Sequence, residues 1–173
     1  EKQDQIIPTD ENNMILMGYL AFFDAPKKTA KTSVEAIKRL QVMPKILTGD
    51  QADVAASICR RVGIPSEIIL TGVDLDQMTD DELGKTVENN HVFAELTPGQ
   101  KVRIVSALRQ NGHTVGFLGD GINDIPALCE SNVGISVDTA VDAAKDAADV
   151  VLLQKDLGVL EQGILEGRKT FTN

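Results

Sequence analysis

Two carboxylates four residues apart, Asp120 and Asp124, follow an apolar run in the stretch GFLGDGINDIPAL, residues 116–128. Mg²⁺ takes an octahedral shell of oxygens, with one or two carboxylates completed by water and phosphate. Asp120 therefore suits a direct metal ligand, and Asp124 suits a metal-bound water or the orientation of a lysine. Gly119 and Gly121 let the backbone turn and come close, and Asn123 can donate to an oxygen. Three other stretches set polar groups just after apolar runs: Thr48-Gly49-Asp50 in KILTGD, Lys101 in ELTPGQK and Asp24 in FFDAP. Thr48 offers a hydroxyl donor to a phosphate, Gly49 a turn beneath it, and Asp50 a cap for the next helix.

Lys101 carries the most information. Thr97-Pro98-Gly99-Gln100 reads as a capping box with proline at the first helical position, which puts Lys101 in the first turn of its helix. The macrodipole disfavours a cation there, and a bound anion reverses that penalty. Carboxylates, a hydroxyl, an amide and an ammonium make a set for holding a phosphoryl group with Mg²⁺, and phosphoryl transfer needs mainly positioning and charge neutralisation. A nucleophile is missing: there is no Walker-type glycine loop, no Ser/His/Asp set, and His91 and His113 read as loop residues without partners.

Short apolar runs alternate with amphipathic ones, which predicts βαβ units and a parallel sheet covered on both faces. Strands are expected at 15–23, 45–47, 68–70, 91–94, 114–118, 133–136 and 150–153. Helices are expected at 29–41, 51–62, 80–87, 98–110, 124–131, 139–147 and 157–170. In open α/β sheets ligands bind beyond the carboxyl ends of the strands, where the polar stretches fall. Thr79 to Glu82 repeats the capping box, and Gly63 with Pro65 ends the helix that holds Cys59. Each polar stretch alone has an ordinary reading as a turn or cap; their occurrence together at several strand ends favours a site. The acidic run 74–82 reads as a solvated helix start and not a calcium loop. Met14, Met17 and Met43 read as core, and Val102, Val105 and Leu108 as the buried face of a helix.

The 173 residues suit a single domain, 1–173, with residues 1–12 loose. A formal charge of -9, 3% aromatics and no basic cluster exclude a nucleic-acid footprint and an anionic membrane surface. Cys59 and Cys129 read as small core residues of a reducing compartment. With no leader and no apolar run long enough to span a bilayer, the chain reads as cytosolic.

KILTGD, ELTPGQK and GFLGDGINDIPAL together resemble the second half of the phosphorylation domain of P-type ATPases, within the haloacid dehalogenase-like superfamily. GDGINDIPAL resembles the GDGxNDxPAL signature, TGD the threonine motif, and TPGQK the segment that leads to the lysine. FFDAPKK is similar to the DPPR/K hinge, with Ala25 in place of the first proline. The stretch from Gly134 to Phe171 resembles the magnesium-transporting branch most, with calcium and proton pumps next. The resemblance implies a Rossmann-like three-layer α/β fold with a mostly parallel sheet and a cation pump that forms an aspartyl-phosphate from ATP. It implies phosphate contacts from Thr48 and Lys101, Mg²⁺ on Asp120, completion of the site by Asn123 and Asp124, a link to the nucleotide domain from Asp50, and a hinge and cofactor-binding role for Asp24. The nucleophile of that family is the aspartate of a DKTGT sequence, absent here, so the chain resembles an excised piece that is inactive alone and soluble. Its implied partners are ATP, phosphate, Mg²⁺ and the nucleotide-binding, actuator and transmembrane domains, at the cytoplasmic face of a membrane. Loss of a central strand predicts two open edges, closed by a shifted sheet or by a strand-paired or swapped dimer. The alternatives are a soluble dehalogenase-like phosphatase, which needs a DxD motif that the first 25 residues lack, and a non-catalytic phosphate- or Mg²⁺-binding module.

Overall fold

Runs of two to five apolar residues, each bounded by turn or cap residues, become the strands of the protein, and the capped amphipathic runs between them become its helices. A computed structural model describes residues 14–20, 27, 29–154 and 156–172. Helix α1 (Ala30–Arg39) leads to β1 (Ile46–Leu47), α2 (Ala52–Val62) and β2 (Ile69–Thr71). Two helices, α3 (Gly72–Asp76) and α4 (Asp80–Asn89), precede β3 (Val92–Ala94) and α5 (Pro98–Gln110). Then come β4 (Gly116–Leu118), a 3-10 turn (Ile122–Asp124), α6 (Ile125–Glu130), β5 (Val133–Val137), α7 (Asp142–Asp146), β6 (Val150–Leu152) and α8 (Leu157–Thr172).

The strands form two three-stranded sheets, ordered β1-β3-β2 and β4-β5-β6, and every pairing is parallel. The α/β class expected from the alternation is what the protein has. Leu47 stands opposite Phe93, and Leu118 opposite Ile135. Among the described residues β1 and β4 each pair with one strand only, so no shifted pairing joins the sheets. Side chains alternate between faces along a strand. Ile46, Val92 and Ala94 pack with Val34, Ala55 and Cys59 of α1 and α2, while Leu47 and Phe93 pack with Ile104 and Leu108 of α5 and Leu83 of α4. Helix α5 ties the halves together, because its Val105 packs with Phe117, Ile135 and Leu152 of the second sheet. Helix α8 does the same on its side: Leu157 joins the cluster around Val34, and Val159 and Leu160 the cluster around Leu152.

The capping boxes at Thr79 and Thr97 form as expected, and Gly63 ends α2 in the left-handed conformation, φ 78°. A third box, Thr71 with Asp74, opens α3, which the sequence pattern hid inside the acidic run. Its Asp74 carboxyl is held below the usual range by hydrogen bonds from the Thr71 backbone and hydroxyl.

Several expectations need correction. Residues 15–20 form no strand, and residues 21–23 of that expected strand lie outside the described residues. Met14, Met17 and Met43 are not core: they are 73%, 93% and 62% exposed. Cys59 is fully buried but Cys129 is exposed, because it falls on the solvent side of the short α6. His113 has a partner after all, with its Nε2 2.9 Å from a Glu88 oxygen. The helix expected over 139–147 contracts to α7.

Candidate active site

The polar strand ends converge. Thr48 after β1, Asp120 after β4, Lys101 in the first turn of α5 and Asp124 in the 3-10 turn line one cavity of about 460 Å³. This is the carboxyl edge of both sheets, where the sequence places a ligand.

Lys101 is 8% exposed, and its Nζ donates to Asp124 Oδ1 at 2.7 Å. The other oxygen, Oδ2, accepts the Gly121 N–H at 3.3 Å. Asp124 thus pairs with the lysine and supplies a negative charge beside a cation at a helix amino end. Gly119 has to be glycine: a Cβ there would lie 2.5 Å from the Asp124 Cβ, so any side chain would push the carboxylate off its lysine.

Three main-chain bonds and one hydroxyl fix the loop that carries Asp120. The Gly119 N–H donates to Ile135 O at 3.0 Å, and the Val141 N–H donates to Asp120 O at 3.2 Å. The Asp124 N–H donates to Gly121 O at 3.0 Å. Ser136, fully buried on β5, donates its hydroxyl to Gly119 O at 3.0 Å. Leaving a buried acceptor unsatisfied costs about 1–3 kcal/mol. Ser136→Ala is therefore expected to lower unfolding free energy by about that amount in urea denaturation, with the denaturant slope unchanged.

Thr48 is held by its own turn. Its hydroxyl donates to Asp50 Oδ2 and accepts the Asp50 N–H, both at 3.0 Å. Asp50 consequently does not cap α2, contrary to expectation: Gln51 is the N-cap residue, without a side-chain bond. The Ala52 N–H donates instead to Glu95 Oε1 at 3.3 Å, from a residue held at φ 56° just past β3. Gly49, Asp50 and Asn123 support the turns without lining the cavity, and Asp24 lies outside the described residues.

Sequence reasoning missed Lys27 and Asp156, which line the same cavity. Asp156 accepts the Thr29 hydroxyl at 3.2 Å and the Gly158 N–H at 2.7 Å, at the start of α8. The Asp-x-Gly spacing before an amphipathic run was its signal. Ser136 was legible only as a single hydroxyl within the apolar run VGISV.

The donor chemistry suits Mg²⁺ at Asp120, a hard carboxylate on the cavity; Asp124 lines the same cavity with its two oxygens engaged by Lys101 and the Gly121 N–H, and no cluster of three or more His, Cys, Asp or Glu suited to a metal occurs among the described residues. Two carboxylates completed by water and phosphate oxygens are what Mg²⁺ takes, whereas Ca²⁺ asks for six to eight protein-rich oxygen ligands.

The scaffold is parallel α/β with a strand-end cavity, and the chain belongs to the haloacid dehalogenase-like hydrolases: the model of that family matches residues 2–131. Within it, the chain is similar to P-type cation-transporting ATPases. It is 53% identical over 164 residues to a magnesium-transporting P-type ATPase of Salmonella typhimurium strain LT2, and 50% identical over 164 residues to one of Escherichia coli K12. Each match covers 95% of this chain and 18% of the relative, so the chain spans about a fifth of the length of those curated relatives. A calcium-transporting ATPase of Bacillus cereus is 37% identical over 166 residues, 94% of this chain and 19% of that protein. Among solved structures, a zinc-transporting PIB-type ATPase in its E2.Pi state matches with a TM-score of 0.68 and 29% identity, over 86% of this chain and 20% of that one. The catalytic domain of the CPx-ATPase CopB-B matches with a TM-score of 0.61 and 28% identity, over 80% and 45% of the two chains.

Proposed function

We propose that this chain is the carboxyl-terminal part of the phosphorylation domain of a cation pump, with Mg²⁺ as the transported ion by its similarity to the magnesium-transporting relatives. The observation that carries the reading is the convergence of Thr48, Lys101, Asp120 and Asp124 on one cavity, with the lysine buried against Asp124. In the longer polypeptide an aspartate carried outside these residues attacks the γ-phosphorus of ATP, ADP leaves, and an aspartyl-phosphate forms. Lys101 Nζ and the Thr48 hydroxyl donate to the transferring phosphoryl oxygens, and the Thr48 hydroxyl exchanges its bond to Asp50 for one to phosphate. Asp124 keeps Lys101 aimed. Asp120, with Asp124 beside it, would hold the resident Mg²⁺, which when bound would supply charge neutralisation. Asn123 donates at the rim, and Asp50 with Asp24 supports the connection to a nucleotide-binding domain.

None of the described helices is long and apolar enough to cross a membrane. The transmembrane, actuator and nucleotide-binding parts are accordingly supplied by the rest of the pump, and this chain works at its cytoplasmic face.

The test uses the full-length protein in membranes with γ-labelled ATP. A label that is acid-stable, hydroxylamine-labile and lost on removing Mg²⁺ supports the reading; no acyl-phosphate at any Mg²⁺ concentration overturns it. The 173-residue chain by itself is expected to hydrolyse ATP no faster than background.

A further inference from the structure

The helix start that presents Lys101 is weak by itself. The first turn of α5 has no acidic residue, carries the lysine cation and contains Gly99, where a Cβ would meet nothing. Glycine and a cation both weaken a helix amino end. The turn is nevertheless fastened to a neighbour distant in sequence. Gln100 spends its whole side-chain amide on this. Its Oε1 accepts the Thr97 N–H at 2.8 Å, which closes the capping box, and its Nε2 donates to Gly72 O at 2.9 Å and to Asp76 Oδ1 at 2.8 Å, both in α3. Three residues on, Arg103 donates from Nη1 to Leu75 O at 2.7 Å and from Nη2 to Met78 O at 2.6 Å, where α3 ends and its last carbonyls need partners.

Helix α3 is a firm base for this contact. The Thr71 and Asp74 box fixes its start, Thr71 stands opposite Ala94 of β3, and Leu75 is buried in the core. The approach is close: a Cβ on Gly72 would lie 2.6 Å from Gln100 Oε1 and 2.7 Å from Glu95 O, so a larger residue would push the amide out of place. The stretch that leads into α5 is tied on its other side to the Thr48 turn, since the Glu95 N–H donates to Asp50 O at 2.9 Å and the Leu96 N–H to Thr48 O at 3.0 Å. Residues 95–101 thus run from the turn that holds Thr48 to the lysine, with Gln100 as the anchor nearest Lys101.

We infer that Gln100 is a positioning residue for phosphoryl transfer: it clamps the first turn of α5 onto α3 and so sets where Lys101 Nζ meets the phosphoryl group. The inference rests on the function proposed above. Gln100 does not line the cavity, and it acts through its neighbour in the chain. Moving a reacting or charge-stabilising group by about 1 Å costs on the order of a hundredfold in rate. Asp124 still holds the lysine when the clamp is lost, so the expected cost here is about tenfold.

Gln100→Glu separates the clamp from the cap. Glutamate at this position still closes the box with Thr97, but it brings no donor to Gly72 O and sets a carboxylate against that of Asp76. In the full-length protein in membranes, with γ-labelled ATP and rapid acid quenching, the variant is expected to lower the rate constant of phosphoenzyme formation about tenfold while the half-saturating Mg²⁺ concentration stays that of wild type. Loss of folded protein lowers the amount of phosphoenzyme and leaves that rate constant unchanged, so a structural role alone does not move it. Adding Asp76→Asn returns a donor to the new carboxylate, and the rate constant is expected to recover to within about threefold of wild type. A rate constant within about twofold of wild type in Gln100→Glu overturns the inference. So does a loss that Asp76→Asn leaves in place, or one accompanied by a raised Mg²⁺ requirement. A wild-type protein that forms no acyl-phosphate overturns the proposed function itself, and this inference with it.

Discussion

Asp120→Asn in the full-length protein is expected, on the proposed function, to lower phosphoenzyme formation by a hundredfold or more while the protein still folds. The expected size follows from what the carboxylate does: removing one preorganised electrostatic contact to a reacting phosphoryl group or its metal costs about 10²–10³ in rate. Asp120 is exposed at the mouth of β4, and its carbonyl, which accepts the Val141 N–H and helps anchor the loop, is retained by Asn. A surface change of this kind shifts stability by about 0.5 kcal/mol or less. Two readings separate a metal role from a general loss. The Mg²⁺ concentration for half-maximal labelling is expected to rise in Asp120→Asn, and the melting temperature of the variant is expected to match wild type. Unimpaired phosphorylation would remove Asp120 from the site and with it the case for this chain as the Mg²⁺ half of a phosphorylation domain.

Much of this arrangement is legible in the sequence, for a definable reason. The Thr97-Pro98-Gly99-Gln100 box fixed the first turn of α5 locally, so the depth of Lys101 in that turn followed from four residues. The strand ends after Leu47 and Leu118 were marked by glycine and carboxylates that break an apolar run, and the topology then brings such ends together. What was hidden depended on partners distant in sequence. Ser136 reads as an interruption of a strand until the Gly119 carbonyl appears above it, 17 residues away. Asp50 reads as an N-cap because it precedes a helix, yet its carboxylate is taken by the Thr48 hydroxyl, and Glu95, just past the neighbouring strand, serves the helix instead. Met14 and Met17 read as core because apolar residues usually have a sheet to cover, and no periodicity says which sheet. The two open edges were foreseeable only from the resemblance, since neither β1 nor β4 differs in composition from a strand paired on both sides.

Asp124→Ala is expected to be the most destabilising single change at the site, at about 3 kcal/mol, since removing one partner of a buried ion pair leaves the other charge stranded. Side-chain exposures of 11% for Lys101 and 16% for Asp124 put the pair near the buried limit, with some relief from solvent. The loss also strips the Gly121 N–H of its acceptor and opens space beneath Gly119. Lys101→Met is expected to cost less, about 1 kcal/mol, because Asp124 keeps the Gly121 N–H and reaches water while methionine keeps most of the lysine stem in place. The double variant is then expected to resemble Lys101→Met far more than the sum of the two losses, a coupling that a double-mutant cycle in urea measures directly. The stranded ammonium of Asp124→Ala also faces the cavity without its carboxylate, so inorganic phosphate at millimolar concentration is expected to raise its melting temperature more than that of wild type, by ligand linkage. Lys101→Met is expected to show no such rise. Strictly additive losses, or equal phosphate effects in all variants, would mean that Asp124 does not hold Lys101 for an anion, and that the short contact between them is a structural tie alone.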